Sequence, residues 1–595
     1  MYTYKLTRVG LNNRSEISPP GNLTVIIGPN NAGKSRALKD IAWKTTKDTP
    51  GQGIIVNDVE WTLPQNFKEL REAYNLKQYQ DEHGNWIFRT LAPELHQEYQ
   101  NNAGDWSIWD EQSNFQNWLY NKSQFARVFG SAMVAFLTTE NRLQLVKESA
   151  SSYHEREESN LLQALYNAGS SIEKQIQELV KRAFGKEIKL DYTVPQRLLL
   201  RVGDDFSAVP PDPRDARDVM QQCSKLDDQG DGIRSFVGII TALLAIDRNL
   251  FLIDEPEAFL HPPQAFRIGE FVAEQANSAR QIILATHSAD LLRGLLSKTT
   301  DVTILRIDRR DETNYFHTLD PNRLQELVSD PLLSSARVLD GLFYSGVVVV
   351  EADSDARFYH TASTKRKNNI DLHFVNADNK QTVPRITALY RDMGVSCAGI
   401  VDFDVLNNQA EFEKQLEALK LGEEQIATML AIREEIAKAA KELPPEERLD
   451  KVREQMTKLL TSVNEIQAKL FTSDEAAKSA KEKLLRQIES RANEIAASTK
   501  NWKDFKEKGR AALPTELQPK FDELWQICSQ KGLFINLCGE LESMLAHRGL
   551  PYTTDKRAWI SSALKLLPGL EVNDREYPWQ FIKGIHEYLI GLEHQ

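Results

Sequence analysis

The segment from Gly28 to Ser35 constrains the fold more than any other part of the chain. It reads Gly-Pro-Asn-Asn-Ala-Gly-Lys-Ser, follows an apolar run at 23–27 and precedes a helical stretch at 36–43. Strand, glycine-rich loop and helix in this order are the setting in which a G-x-x-x-x-G-K-S loop binds phosphate. Backbone N–H groups at the helix N-terminus then face the phosphate oxygens. The segment therefore predicts an α/β unit with a phosphate site.

Further nucleotide contacts follow from this loop. Lys34 is expected to reach the outer phosphates, and the Ser35 hydroxyl is expected to ligate Mg²⁺. Downstream, Asp254 and Glu255 follow an apolar strand at 250–253. We expect Asp254 in the magnesium shell and Glu255 as a general base that activates water. The sequence thus predicts ATP and Mg²⁺ as cofactors, held by Gly28, Asn30, Asn31, Gly33, Lys34, Ser35 and Asp254.

Several continuous apolar runs predict the remaining strands of two sheets. Runs without polar alternation suit strands that are covered on both faces, as in a parallel sheet. They lie at 250–253, 281–284, 347–350 and 399–401. The run at 347–350 begins a new strand–helix pattern after the first pattern has closed. We therefore expect a boundary near residue 340, between domains at 1–340 and 341–595.

Composition narrows the classes of protein that remain. The 595 residues include 73 basic and 85 acidic side chains, a net charge of −12, so a nucleic acid must meet a local basic patch and bound cations. Four irregularly spaced cysteines favour reduced thiols and argue against a zinc module or a disulfide framework. We expect no membrane segment and a cytoplasmic location, because the chain has no apolar run of about 18 residues and no signal-peptide core.

A second set of carboxylates follows the strands of the C-terminal half. Glu351 comes directly after the run at 347–350, and Asp402 and Asp404 follow the run at 399–401. Carboxylates gathered at the C-terminal edge of a parallel sheet repel one another unless divalent cations lie between them. The sequence therefore predicts a Mg²⁺ or Mn²⁺ site formed by Glu351, Asp355, Asp402, Asp404, Glu540 and Glu542.

Two segments interrupt these patterns. The first, at 44–150, is rich in tryptophan and is expected to be either the small core of a β-rich insertion or a surface for base stacking or ligand sensing. A helical pattern at about 155–185 follows it. The second segment, at 408–500, carries mixed charges and predicts helices over 409–443, 446–470 and 474–498, as an arm or a spacer. The first of these would reach about 50 Å.

The residues around the acidic pair have a specific order. Asp254-Glu-Pro-Glu-Ala-Phe-Leu-His-Pro262 is followed by Leu284-Ala-Thr-His-Ser288, and together they resemble the ATP-binding-cassette class of ATPases, in the branch shared with chromosome-structure and recombination ATPases. The resemblance implies that His287 senses the γ-phosphate. It places Asp231 and Gly232 in the signature segment, with Asp231 where a serine is common. It also implies ATP sites completed between two subunits, and hence a homodimer or a higher homo-oligomer.

The acidic set in the C-terminal half has a resemblance of its own. Glu351 after a strand, followed by Asp402-Phe-Asp404, resembles the Toprim domain of topoisomerases, primases and certain nucleases. With the later Gly-Glu540-Leu-Glu542, the whole chain is similar to the OLD (overcoming lysogenization defect) nucleases. That family includes the nuclease subunit of the Gabija antiphage system and effectors attached to some retrons. Ala352 stands where the family usually has glycine.

The resemblance implies a fold and an activity. The fold is an ABC-type ATPase domain followed by a Toprim domain that carries a long helical insertion. The activity is an ATP-regulated, metal-dependent endonuclease in antiphage defence, with Glu255, His287, Glu351, Asp402, Asp404 and a lysine as catalytic residues. Lys556 and Lys565 are the candidates for that lysine, and we select Lys556. DNA is the favoured substrate, and RNA is also chemically possible. A protein or ribonucleoprotein from the same defence system is an expected partner. The alternative is a DNA-binding or repair ATPase, or a nucleotide-sensing scaffold, with a degenerate Toprim docking module.

Overall fold

The computed structural model describes residues 2–18, 20–47, 53–74, 121–150, 160–310, 313–367, 371–442 and 500–593, with short stretches within 77–119 and 446–460. The chain divides into two compact units, Met1–Tyr344 and Ser345–Gln595. Each unit contains a mainly parallel sheet together with helices, so the expected α/β class is confirmed.

The first unit contains sixteen strands in its described part. They are β1 (Leu6–Leu11), β2 (Glu16–Ile17), β3 (Leu23–Ile27), β4 (Val56–Trp61), β5 (Lys77–Gln80), β6 (Trp86–Arg89), β7 (Trp106–Ser107), β8 (Val134–Leu137), β9 (Ser149–Ala150), β10 (Glu187–Asp191), β11 (Arg197–Gly203), β12 (Ser224–Lys225), β13 (Leu250–Asp254), β14 (Gln281–Ala285), β15 (Thr303–Arg310) and β16 (Thr313–Thr318). Its helices are Lys34–Thr46, Phe67–Tyr74, Lys122–Met133, Asn141–Leu145, Leu161–Ala168, Ser170–Phe184, Pro213–Gln222, Asp231–Ala245, Pro262–Gln275, Ala289–Leu296, Pro321–Ser329 and Ala336–Asp340.

The central sheet of the first unit has the order β16-β15-β3-β14-β13-β8, and only the β15–β16 pair is antiparallel. Every residue of β3, β8, β13 and β14 is buried, as expected for strands with helices on both faces. Because these strands are parallel, their carboxyl ends meet at one edge of the sheet. That edge positions the phosphate loop after β3 and the acidic pair after β13.

The range expected as a tryptophan-rich insertion contains parts of the main fold. Val56–Trp61 pairs with β1, and Val134–Leu137 is the edge strand of the central sheet. Trp61 is buried, with its ring 6.0 Å from Tyr4 and 6.4 Å from Phe125. Trp61 therefore belongs to the hydrophobic core. Trp109 and Trp118 lie outside the described residues, so the hypothesis of a base-stacking surface stays a prediction.

Two predicted helices are interrupted by turns. The pattern at about 155–185 forms two helices, which meet at Gly169 with φ 84°, a left-handed conformation that ends a helix. The single helix predicted over 409–443 is wrong, because the chain turns at Lys420 (φ 56°) between helices Gln409–Ala418 and Glu423–Ala439. Phe412 and Met429 are fully buried, so these helices pack into the unit and do not form a free arm. The helices predicted over 446–470 and 474–498 lie outside the described residues, apart from isolated positions up to 460.

The second unit is formed around a four-stranded parallel sheet with the order β18-β17-β19-β22. Its strands are β17 (Gly346–Val350), β18 (Leu372–Asn376), β19 (Ser396–Val401), β20 (Lys441–Glu442), β21 (Lys500–Asn501) and β22 (Leu533–Ile535). Its helices are Asp353–Arg366, Val383–Asp392, Gln409–Ala418, Glu423–Ala439, Lys503–Lys508, Gln518–Gln530, Lys556–Leu566 and Trp579–Glu593. The carboxyl ends of β17, β19 and β22 share one edge, and each is followed by an acidic residue.

The four cysteines are free, and Cys397 and Cys528 are buried. Across the ranges that the structure describes, no helix combines the length and apolar character that crossing a bilayer requires.

Candidate functional site

The phosphate loop depends on glycine at both ends. Gly28 has φ 143°, and a Cβ there would lie 2.0 Å from the carbonyl oxygen of Ile307, so only glycine fits. Gly33 has φ 102° and precedes the helix that begins at Lys34. The Lys34 ammonium donates to the carbonyl oxygens of Gly28 and Pro29, at 2.8 Å each. The loop therefore curls around its own lysine, while Asn30 and Asn31 are exposed at its tip.

Asp254 and Ser35 meet at the end of β13. The Ser35 hydroxyl donates to Asp254, yet burial outweighs this bond and raises the pKa of Asp254 to about 6. Within the described part of the chain, the buried Oδ1 of Asp254 has no hydrogen-bond partner. An unpartnered carboxylate oxygen beside a hydroxyl is a donor set that a Mg²⁺ ion would satisfy. These residues therefore fit the magnesium that the phosphate loop implies.

His287 lies beside two glutamates. Its Nδ1 is 3.5 Å from Oε1 of Glu255 and 3.2 Å from Oε1 of Glu257. The hydrogen bond between His287 and Glu255 raises the pKa of the imidazole and lowers the pKa of the carboxyl. Glu257 also accepts from the Thr286 hydroxyl at 2.7 Å and from the His287 N–H at 2.8 Å. Glu257, two positions after Glu255, thus orients His287, a role that the sequence pattern did not indicate.

A buried arginine at this edge was also missed. Arg142 is 0% exposed and follows β8, the strand next to β13. Its guanidinium donates to the carbonyl oxygens of Asp254 and Glu255, at 2.6 and 2.7 Å. Burial lowers its pKa to about 10, which leaves it charged at neutral pH. The apolar run at 134–137 could have indicated a further strand at this edge, but it gave no signal for the role of the arginine.

The signature candidates lie at the start of helix Asp231–Ala245. Asp231 is about half exposed and pairs with Arg234 at 2.9 Å. A Cβ on Gly232 would lie 2.7 Å from the carbonyl oxygen of Phe259, so this position favours glycine. The start of the helix therefore packs closely against the segment that follows the acidic pair.

The structure gathers all six predicted carboxylates of the second unit at the edge formed by β17, β19 and β22. Glu351 follows β17 and accepts from the backbone N–H of Asp402 at 3.1 Å. Asp355, on the first turn of helix Asp353–Arg366, accepts from the Ala352 N–H at 3.1 Å. Asp404 follows β19, while Glu540 and Glu542 follow β22 and are 7% and 1% exposed.

Mutual repulsion and burial perturb the acidities of this group. Burial, with the neighbouring Asp404, raises the pKa of Glu351 to about 7. Burial and the charges of Glu351, Asp355 and Asp404 raise the pKa of Asp402 well above its usual range. Burial likewise raises the pKa values of Asp355 and Glu542. Glu351 and Asp402 thus lie close enough to neighbouring carboxylates for those charges to raise their pKa values.

Three lysines compensate part of this negative charge. Lys506 lies 3.1 Å from Oδ2 of Asp404 and 2.8 Å from Oε1 of Glu540. Lys380 lies 3.4 Å from Oδ1 of Asp404. Burial disfavours the Asp404 carboxylate, but Lys380 and Lys506 outweigh it and lower its pKa. Lys556 lies 3.8 Å from Oε2 of Glu542. Sequence reasoning identified only Lys556.

Of the two lysines proposed for the nuclease site, only Lys556 lies beside the acidic residues. Lys565, the other candidate for the cutting site, is exposed near the end of helix Lys556–Leu566, while Lys556 at the start of that helix faces the acidic residues. Lys506 and Lys380 come from segments that no motif marked.

The described carboxylates at this edge do not form a preformed coordination site for a metal ion. Within the described ranges, no group of three or more His, Cys, Asp or Glu side chains is already arranged to hold a metal ion. Among the same residues, the buried Oε2 of Glu542 has no hydrogen-bond partner. Oxygen ligands of this kind suit Mg²⁺ or Mn²⁺. The oxygen atoms at this edge are therefore ligands of the kind that a divalent cation takes, although they do not surround such an ion in the present arrangement.

Comparison with known proteins supports an ATPase. Residues 43–293 match the family model described as "AAA domain, putative AbiEii toxin, Type IV TA system". This match supports the assignment of an ATPase domain in the first unit. A stretch of 171 residues is 26% identical to the Old nuclease of Escherichia phage P2, and it covers 27% of this chain and 28% of that nuclease.

Two solved structures of SMC heads also resemble the chain. The SMC head bound to the C-terminal winged-helix domain of ScpA is 12% identical, with a TM-score of 0.33, over 54% of this chain and 99% of that chain. The SMC head domain from Thermotoga maritima is 13% identical, with a TM-score of 0.27, over 53% of this chain and 99% of that chain. At such TM-scores, function has to be argued from the residues.

Proposed function

We propose that this protein is an ATP-binding and ATP-hydrolysing enzyme whose second unit is a Toprim-type, metal-dependent endonuclease of the OLD kind. The observation that supports the nuclease best is the convergence of six carboxylates from three strand ends on one edge of a parallel sheet. The local similarity to the Old nuclease agrees with it. The proposed role is antiphage defence, with the ATPase unit regulating cleavage.

The nucleotide half of the proposal assigns one task to each residue. Lys34 and the loop backbone would hold the phosphates, and Ser35 with Asp254 would hold Mg²⁺. Glu255, ionised because its pKa is lowered, accepts a proton from the attacking water. His287, held by Glu255 and Glu257, faces the γ-phosphate. Asp231 and Gly232 are proposed to meet the nucleotide of a second copy, which requires at least a homodimer.

The nuclease half uses the acidic edge. Glu351, Asp355, Asp402, Asp404, Glu540 and Glu542 are proposed to hold one or two cations. A bound divalent cation would supply a Lewis acid that activates water and stabilises the leaving oxygen. Lys556 would stabilise the negative charge on the phosphate. DNA is the proposed substrate, and RNA satisfies the same chemistry.

One experiment tests the nuclease half and the dependence of cleavage on ATP. Plasmid DNA and total RNA are incubated with the purified protein and Mg²⁺ or Mn²⁺, with and without ATP. We expect cleavage by the wild type, no cleavage by Glu351→Gln or Asp402→Asn, and ATP binding by all three. Asp353→Asn is the matched control, because Asp353 lies on the same turn but is exposed and pairs with Arg357 at 2.8 Å. Metal-dependent cleavage retained by both acidic variants would refute the assignment.

A second candidate function has one observation in its favour. Lys506 already bridges Asp404 and Glu540. Such a bridge would suit a DNA-binding or repair ATPase, or a nucleotide-sensing scaffold, whose Toprim unit is a degenerate docking module. Hydrolysis of ATP without cleavage of DNA or RNA under any metal condition would favour this function.

A further inference from the structure

Arg142 is the one buried arginine that contacts the acidic pair in the described part of the chain. Its side chain has three acceptors: the backbone oxygens of Asp254 and Glu255, and the Ser235 hydroxyl, which lies 2.7 Å from its Nε. The first two acceptors belong to the turn after β13. The third lies on helix Asp231–Ala245, one turn beyond the signature candidates.

The acidic turn needs such support. Glu255 has φ 45°, a left-handed conformation that is unfavourable for a residue with a side chain. Such a conformation persists only where surrounding contacts determine it. The Glu255 N–H is bound by the Ala285 oxygen at 2.9 Å, and Arg142 binds the Glu255 oxygen on the other side of the residue. The two bonds together fix the direction of the Glu255 side chain.

Helix Asn141–Leu145, which contains Arg142, also contacts the signature segment at the start of helix Asp231–Ala245. A Cβ on Gly238 would lie 2.5 Å from the Arg142 carbonyl oxygen, so helix Asp231–Ala245 lies directly against the backbone at Arg142. Arg234, which pairs with Asp231, also donates to the Leu143 oxygen at 3.3 Å. Helix Asn141–Leu145 thus bonds to the signature through Arg234 and to the acidic turn through Arg142. The two bonds involve adjacent residues of this helix, Leu143 as an acceptor and Arg142 as a donor.

We propose that Arg142 is a positioning residue for ATP hydrolysis: it holds the Asp254–Glu255 turn in its working geometry and makes that geometry depend on the signature helix through Ser235. This inference rests on the proposed ATPase function. It predicts loss of turnover without loss of nucleotide binding, because the phosphate loop has no bond to Arg142 among the described contacts.

The test measures steady-state ATP hydrolysis and the binding of a fluorescent ATP analogue by full-length protein. We expect Arg142→Gln and Arg142→Lys to lower kcat by about tenfold or more while the nucleotide Kd changes by less than about threefold, since small misplacements of reacting groups cost this much. Lysine should not rescue, because one ammonium cannot reach three acceptors. Ser235→Ala removes only one hydroxyl group, so the variant should still fold, and its kcat should fall by about threefold.

Arg201→Gln is the matched control, because Arg201 is also buried and donates to Asp191 at 2.8 Å and to the Cys223 oxygen at 3.0 Å, away from this edge. Its kcat should stay within about twofold of wild type. The inference is overturned if Arg142→Gln keeps its kcat, if Kd and kcat worsen in parallel, or if Arg201→Gln loses as much. If Arg142→Gln fails to fold, an unchanged kcat in Ser235→Ala overturns it. Failure of the ATPase proposal looks different, because the wild type itself would then not hydrolyse ATP.

Discussion

Lys506 forms an ion pair with Asp404, 3.1 Å from Nζ to Oδ2, although the segment expected as a helical insertion separates them in sequence. The same ammonium reaches Glu540, so one lysine bridges carboxylates that follow two different strands. In a site that is proposed to hold divalent cations, this ammonium lies where a cation would compete with it.

Lys506→Met should therefore tighten metal binding at this edge. Without the ammonium, Asp404 and Glu540 repel each other, which favours a bound cation and destabilises the metal-free protein. We expect a several-fold lower Mn²⁺ dissociation constant by titration calorimetry. In chelator, the free energy of unfolding should fall by about 1–2 kcal/mol, a discounted value because Lys506 is partly exposed. Lys520→Met, which breaks an exposed pair with Glu435, is the control. Weaker Mn²⁺ binding in Lys506→Met would show that the lysine supports the cation.

Glu255→Gln should separate nucleotide binding from hydrolysis. The amide keeps the shape of the side chain but accepts no proton, so kcat should fall by about 100-fold or more while ATP remains bound. Rapid-quench hydrolysis with a parallel binding assay measures both quantities. Glu274→Gln removes an exposed carboxylate that pairs with Lys298, and should leave both unchanged. Wild-type turnover in Glu255→Gln would remove this residue from the mechanism.

Gly539→Ala should destabilise the second unit. Gly539 has φ 109°, and a Cβ there would lie 2.1 Å from the Lys506 carbonyl oxygen. Strain and overpacking should together lower the free energy of unfolding by about 2–4 kcal/mol. Gly549 has φ 85°, and a Cβ there would have no atom within 4 Å, so alanine should lower the free energy of unfolding by only about 1 kcal/mol. Equal losses in chemical denaturation would contradict the close approach.

His586 should make stability depend on pH. Burial and Arg366 lower its pKa from 6.5 to about 4, and its ring also contacts the Ser363 hydroxyl at 2.9 Å. Below pH 6.5 the unfolded chain takes up a proton that the folded chain does not. The stabilisation is thus complete above pH 6.5 and is lost as pH falls towards 4, by about 1–2 kcal/mol at pH 5. His586→Gln should show a smaller loss between pH 7.5 and pH 5 in urea unfolding, and an unchanged loss would exclude this histidine as the cause.

The features that the sequence predicted best are those that depend on residues adjacent in the chain. The apolar runs before Gly28, Asp254 and Glu351 are local signals, and each is a buried strand that ends at that residue or directly before it. Gly169 marks the first helix break, where its φ is 84°, and Gly422 directly precedes the helix that follows the turn at Lys420. Such breaks follow from backbone preferences and could have been predicted.

The contacts made by Arg142, Lys380 and Lys506 could not be predicted in the same way. None of these residues belongs to a motif, and each meets its partners only after distant strands have paired. A single basic residue in a helix or loop is most often solvated, so its sequence alone gives no reason to select it. The ion pair of Lys506 depends on β19 and β22 lying side by side, which is a property of the sheet and not of the local pattern.

The position of β22 has a consequence for synthesis of the protein. Glu540, which follows β22, emerges from the ribosome 136 residues after Asp404, and at about 5–20 residues per second this is a delay of about 7–27 seconds. During that interval the sheet lacks its neighbour beside β19, and the acidic edge lacks Glu540 and Glu542. If the second unit cleaves nucleic acid, a nascent or prematurely terminated chain that ends before Glu540 should not do so, because two of the six proposed metal ligands are missing from it.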